Sequence, residues 1–192
     1  VMEYLHGLSL QEMVTERGPL EEDNLLFIGY EMSRVLCYLD KRGVIHRDIK
    51  PGNIMITDDA NVKLLDFGLA KKMSDITLSL RDEFLGTPHF VSPEHIRGAK
   101  DHDSRADVYS LGVTLYWAAS GGFPIRGNSP MDILDKQLHE APPPLVETRS
   151  DISGELSDTI NRMLAKTRRE RLTPVETRNA FQNLLFRKES RP

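Results

Sequence analysis

The chain has 192 residues, 39% hydrophobic and 28% charged, enough for one sizeable core and well outside the composition of disordered chains. A formal net charge of -4 gives no general attraction to nucleic acid or anionic membrane, which would need clustered Lys and Arg. The single cysteine, Cys37, excludes an internal disulfide; set between Leu36 and Tyr38 in a helical stretch, it reads as core packing rather than a nucleophile and fits a reducing, cytoplasmic setting.

The opening VMEYLHG predicts a strand running into a glycine turn with no targeting segment before it, so the expectation is a chain that starts mid-domain in a longer protein. Leu25, Ile28, Met32, Val35, Leu36 and Leu39 recur at helical spacing, with Glu21 to Asp23 at the start and Gly43 after the last turn, which predicts one long amphipathic helix. Two apolar runs, Ile54 to Ile56 and Val62 to Leu65, flank the turn formers Asp58, Asp59 and Asn61 and predict a small hairpin. Residues 69–92 hold no period and read as a long functional loop.

The second half is helical. Val108 to Ala119 is apolar on nearly every face, as in a helix buried all round. Its apolar run, broken by Gly112 and Thr114, falls short of the roughly 18 residues that span a bilayer. Met131 to Leu138 predicts a shorter helix stopped by Pro142, Pro143 and Pro144; Leu156, Ile160, Met163 and Leu164 mark another. Thr173, Pro174 and Glu176 have the spacing of a helix start with a capping box. The expected class is α+β, mainly α-helical, with a small β-hairpin region.

The densest motif is Val44 to Ile56, where His46, Arg47 and Asp48 are followed by Lys50 and then Asn53. As a bare pattern this could be a polar turn whose Asp and Asn bond to backbone. In this order the residues resemble the catalytic loop of the eukaryotic-type serine/threonine protein kinases, and Asp66-Phe67-Gly68 after the second hairpin strand adds to the likeness. The resemblance implies the C-terminal lobe of a kinase fold and transfer of the γ-phosphoryl of ATP to protein Ser or Thr hydroxyls. It gives Asp48 the acceptor proton, Lys50 the transferring phosphate, and Asn53 with Asp66 the Mg²⁺ ion.

Gly86 to Glu94, GTPHFVSPE, is similar to the end of the family's activation segment; the resemblance places Thr87 against Asp48 and Lys50 and the next residues beside the acceptor. It also implies that Asp107 holds the catalytic-loop backbone and that Arg171 pairs with Glu94; the plainer readings are a helix cap and a surface charge. VMEYLHGLSL resembles the hinge between the lobes, which implies Met2 as gatekeeper, Glu3 and Leu5 at the adenine edge, Ser9 near the ribose and Met55 as the adenine floor. Arg47, as in relatives with an Arg before the catalytic Asp, is expected to meet a negative charge on the activation segment. Glu83 stands at the usual acceptor position, with Thr77 and Ser79 as the competing phosphorylation sites.

The likeness runs over residues 1–188 as a partial kinase domain, with 189–192 as a tail. No glycine-rich phosphate loop, strand lysine or partner helix glutamate can be assigned, so the expectation is an N-terminal lobe encoded upstream and an inactive isolated lobe. Two rivals remain: a non-catalytic kinase-like interaction module, against which the retained Asp48, Lys50, Asn53 and Asp66 speak, and a small-molecule phosphotransferase, against which GTPHFVSPE speaks.

Overall fold

In a computed structural model, residues 6–65, 88–99 and 103–189 are described. A short strand β1 (Gly7–Ser9) leads into α1 (Leu10–Arg17) and the long α2 (Glu22–Asp40). After a loop and a 3-10 turn (Pro51–Asn53) come β2 (Ile54–Thr57) and β3 (Val62–Leu64). A second 3-10 turn (Pro88–Phe90) precedes α3 (Pro93–Ile96), α4 (Arg105–Ser120), α5 (Pro130–His139), α6 (Leu145–Thr148), α7 (Gly154–Met163) and α8 (Pro174–Glu189). The result is the expected helical α+β architecture with a small sheet.

The sheet is antiparallel in the order β1-β2-β3, with Ser9 opposite Met55 and Met55 opposite Lys63. Gly7, expected to turn the chain, instead lies in β1: a Cβ there would press into the Ile56 carbonyl, so only glycine lets the first strand approach this closely. The helix α1 was not expected from periodicity. Its start was nevertheless written in the sequence, because Ser9 Oγ accepts from Glu12 N at 3.1 Å while Ser9 N donates to Glu12 Oε2 at 2.8 Å, a complete capping box. The same device starts α8 through Thr173 and Glu176, as the spacing predicts.

The core sits between α2, α4, α7 and α8, built from Leu25, Met32, Leu36, Leu111, Leu115, Ile160 and Phe181. Helix α4 is buried at nearly every position, including Thr114, whose hydroxyl donates to the Ser110 carbonyl at 2.8 Å. Cys37 lies in the core side of α2, where burial pushes its thiol up and away from reactivity. No helix among the described residues is long and apolar enough to cross a membrane.

Helices α2 and α8 meet along most of their length, and closest approach is at Gly29, where an added Cβ would sit 2.5 Å from Phe181 Cζ. Alanine raises helix propensity by about 1 kcal/mol, whereas overpacking a fully buried ring costs about 1–3 kcal/mol, so packing should win. Gly29→Ala is therefore expected to lower the urea midpoint, and Phe181→Leu in the same chain to restore part of the loss. A midpoint that rises in the single variant would contradict the close helix contact.

Candidate active site

The loop from Val44 to Lys50 runs across the start of α4 and is fixed there by one side chain. Asp107, in the first turn of α4 and 1% exposed, accepts from His46 N at 2.7 Å through Oδ2 and from Arg47 N at 2.9 Å through Oδ1. Burial pushes the Asp107 carboxyl up, and the two N–H bonds pull against that shift. Arg47 has φ 67°, a left-handed conformation that costs a non-glycine residue about 1–3 kcal/mol. Two hydrogen bonds to a charged acceptor, about 1.5–3 kcal/mol each, are enough to hold it. Thus Asp107 is a brace for the loop rather than a helix cap. The left-handed turn leaves His46 buried and Arg47 exposed.

Beyond the turn, Asp48, Lys50 and Asn53 converge. Lys50 Nζ donates to Asp48 Oδ1 at 3.0 Å and Oδ2 at 2.8 Å, with both side chains close to half exposed. Asn53, nearly buried, closes the 3-10 turn by donating N–H to Lys50 O at 3.0 Å. Its Nδ2 donates to Asp48 O and Oδ2, each at 2.8 Å. With its amide nitrogen spent on Asp48, its Oδ1 faces away from that carboxylate. Leu65 N donates to Asn53 O at 2.8 Å, which ties the end of the second hairpin strand to the loop. A carboxylate, an ammonium and an amide oxygen therefore sit on one braced loop, a set that can accept a proton, face a phosphate and ligate a hard cation.

The Pro88–Phe90 turn docks on the next turn of the same helix: Ser110 Oγ donates to Phe90 O at 2.7 Å, three residues beyond Asp107. The His89 ring stacks on Phe123 with centroids 3.7 Å apart, and Phe90 meets the same ring edge-on at 5.6 Å. Burial draws the His89 imidazole below its ordinary value, so the stack is formed by the neutral ring. Neither Phe123 nor Gln137, which donates to Pro88 O at 2.7 Å, stood out in the sequence, because each lies outside every motif.

Arg171 is fully buried and not a surface charge. Its guanidinium meets Glu94 as a fork, Nη1 to Oε1 at 2.6 Å and Nη2 to Oε2 at 3.0 Å, and donates to the carbonyls of Ala165 and Arg105. Burial pushes the Glu94 carboxyl up, but the Arg171 guanidinium outweighs this and holds it below the usual range. Ser9 and Met55 are brought opposite one another by the sheet register, with the Ser9 hydroxyl engaged in the α1 cap. Met2, Glu3, Leu5, Asp66, Phe67, Gly68, Thr77, Ser79, Glu83 and Thr87 lie outside the described residues.

Asp107→Asn would turn an NH₂ toward one of the two loop N–H groups and leave a buried donor unmatched, at about 1–3 kcal/mol. Faster amide exchange at His46 and Arg47, with a matching fall in unfolding free energy, is the expected result. Removing one partner of the buried pair by Arg171→Met should cost about 3–5 kcal/mol. Because the folded Glu94 value is depressed, the pair's contribution is complete above the ordinary value of 4.5 and is lost as pH falls through the folded value. Acid titration of stability should therefore flatten in the variant; an unchanged profile would show the pair to be inert.

A family model described as "Protein kinase domain" matches residues 1–184. A probable serine/threonine-protein kinase of Clostridium perfringens is 36% identical over 166 residues, covering 86% of this chain and 24% of that protein. The serine/threonine-protein kinase PknB of Mycolicibacterium smegmatis is 36% identical over 168 residues, with 86% and 27% covered. The chain thus spans about a quarter of the length of these curated relatives. Among solved structures, the crystal structure of Rad53 1-466 in complex with AMP-PNP superimposes with a TM-score of 0.77 at 29% identity, covering 93% of this chain and 45% of that one. With a braced Asp48-Lys50-Asn53 loop, a buried Glu94–Arg171 pair and a family match over almost its entire length, this chain belongs to the protein kinase domain family.

Proposed function

We propose that the protein carrying this chain is a serine/threonine kinase, transferring the γ-phosphoryl of ATP to a Ser or Thr hydroxyl of a protein substrate, and that this chain supplies the acceptor side of the reaction. The observation that carries the reading is the convergence of Lys50 Nζ and Asn53 Nδ2 on the Asp48 carboxylate. Asp48 orients the acceptor hydroxyl and takes its proton. Lys50, bonded to that carboxylate, faces the transferring phosphate.

Among the described residues no group of three His, Cys, Asp or Glu side chains could hold a metal by itself. Mg²⁺ takes one or two protein oxygens and completes its shell with phosphate oxygens and water. Asn53 Oδ1 and Asp66 are the oxygens proposed to hold it, and the bound ion would neutralise charge on the phosphates. Ser9, Met55, Glu3 and Leu5 would border the nucleotide, and Thr87 would lie over Asp48 and Lys50. The remaining phosphate-holding groups belong to a lobe upstream. A cytoplasmic setting is proposed, which the single free thiol of Cys37 fits.

For the segment between the motifs, Glu83 is proposed as the standing negative charge that Arg47 meets. A carboxylate carries one charge where a phosphate carries about 1.5 to 2, so ordering should be weaker but constant.

The test is phosphoryl transfer from labelled ATP to Ser- and Thr-containing peptides by the protein with its upstream residues. Asp48→Asn should reduce kcat by about 10²-fold or more while nucleotide binding persists. Transfer that survives Asp48→Asn would remove Asp48 from the role given to it, and nucleotide binding with no transfer in the unmodified protein would favour the interaction module. In phosphate-free protein, Glu83→Ala should cut turnover while Thr77→Ala and Ser79→Ala leave it nearly unchanged; the reverse pattern would move the switch to the hydroxyls.

A further inference from the structure

Through Tyr109, next to Ser110 on α4, a line of hydrogen bonds joins four segments distant in sequence. Lys166, in the loop after α7, donates to the Tyr109 hydroxyl at 3.2 Å. That hydroxyl donates to Gln137 Oε1 at 2.7 Å, and Gln137 Nε2 donates to the Pro88 carbonyl at 2.7 Å. The direction is set from one end. A carbonyl can only accept, so Gln137 must present its NH₂ to Pro88 and its oxygen to Tyr109. The phenol is thereby obliged to donate to Gln137, which leaves its oxygen to accept from Lys166. Each bond polarises the next, and the cation at the head strengthens the whole line.

Lys166 is unusual among the cations here. Two positive groups share the Tyr109 ring, Arg171 at 4.9 Å and Lys166 at 5.5 Å from its centroid. Arg171 is matched by Glu94, whereas Lys166 has no carboxylate within ion-pair distance among the described residues. The charged groups facing it are Arg171, Arg97 at the end of α3 and Glu140 at the end of α5, with Tyr109 the other titratable neighbour. Gln137 and Tyr109 are 1% exposed, so water cannot replace either link.

We propose that Lys166 is a positioning residue for the Pro88–Phe90 turn, acting through Tyr109 and Gln137, and so sets how the acceptor polypeptide lies against Asp48. The second half of that statement rests on the kinase reading; the first does not. Through this line the loop after α7 fixes Pro88 from one side, while Ser110 fixes Phe90 from the other. Burial, with Arg171 adding to it, draws the Lys166 ammonium down to about 8. Above that pH a neutral amine still donates, but without the charge that doubles the strength of the bond.

The test has two readouts. The first is amide exchange at Phe90 and Val91, whose N–H donates to Pro88 O at 3.3 Å in the case of Val91. The second, in the protein with its upstream residues, is the split between KM for an acceptor peptide, KM for ATP, and kcat. Lys166→Met and Gln137→Leu should both speed exchange in the turn and raise the peptide KM by about fivefold, the loss of one hydrogen bond, with ATP KM unchanged. In the unmodified protein the peptide KM should rise as pH passes through about 8, and Lys166→Arg, charged at every pH, should keep the low KM and lose that rise. Unchanged exchange in Lys166→Met would overturn the proposal, as would an equal loss of ATP affinity, which marks general damage. If the unmodified protein transfers no phosphate, the kinase reading fails and the exchange measurement alone still decides whether Lys166 holds the turn.

Discussion

Everything that makes this molecule a chemical site hangs from the two oxygens of Asp107. A carboxylate taken out of water is costly, and burial does push this one toward its protonated form. The loop returns the missing solvation as two backbone N–H groups, and receives in exchange a conformation it would not adopt alone, with Arg47 in the left-handed region. Neither partner is stable in its place without the other. The strain lies one residue before Asp48, so the brace acts directly on the residue whose position matters most. Polar burial here specifies a geometry more than it adds stability.

The helix that carries Asp107 organises the rest by serving four different segments within its first two turns. Arg105 offers its carbonyl to Arg171, Asp107 holds the loop of Asp48, Tyr109 carries the line from Lys166 to Pro88, and Ser110 bonds Phe90. A helix buried on all sides has no solvent face to spend on charges, so each polar side chain it keeps bonds either a carbonyl of the helix itself, as Thr114 does, or a partner from another element. That requirement turns the centre of the fold into a register. Loop, turn and buried ion pair are set relative to one another by the 1.5 Å rise per residue of one rigid rod.

How much of this the amino-acid sequence disclosed depended on how local each signal was. The run Val108 to Ala119 is apolar on nearly every face, and the helix is where that pattern puts it. The hairpin, the long α2 and the capped start of α8 follow from periodicity and turn chemistry within a few residues. By contrast α1 is short and weakly amphipathic, and only the Ser9–Glu12 cap announces it. The α6 turn at Leu145–Thr148 follows three prolines that read as a plain break. Asp48, Lys50 and Asn53 could be singled out because they fall in one short loop whose order resembles the family's catalytic loop. Gln137 could not: its partners are 28 and 49 residues away, and on an amphipathic helix a glutamine looks like one more solvated position. Arg171 and Glu94, 77 residues apart, were found through family likeness and not through any pattern in the residues between them.

The cluster at Asp48 also limits how it can operate. Lys50 Nζ has three donors, and two of them already reach Asp48 Oδ1 and Oδ2. The third can turn to a phosphate oxygen without breaking either bond, so the ammonium can bridge acceptor side and donor side and need not choose between them. A guanidinium at this position would meet the same carboxylate with a planar fork and have its remaining N–H groups fixed in that plane, whereas the rotating ammonium adapts to a group in flight. Asn53 makes the arrangement asymmetric, because its Nδ2 occupies Asp48 Oδ2 and leaves Oδ1 with fewer partners. On the proposed kinase reading, Oδ1 is therefore the oxygen to accept a hydroxyl proton, while Oδ2, bonded by Asn53, keeps the carboxylate in line with the loop.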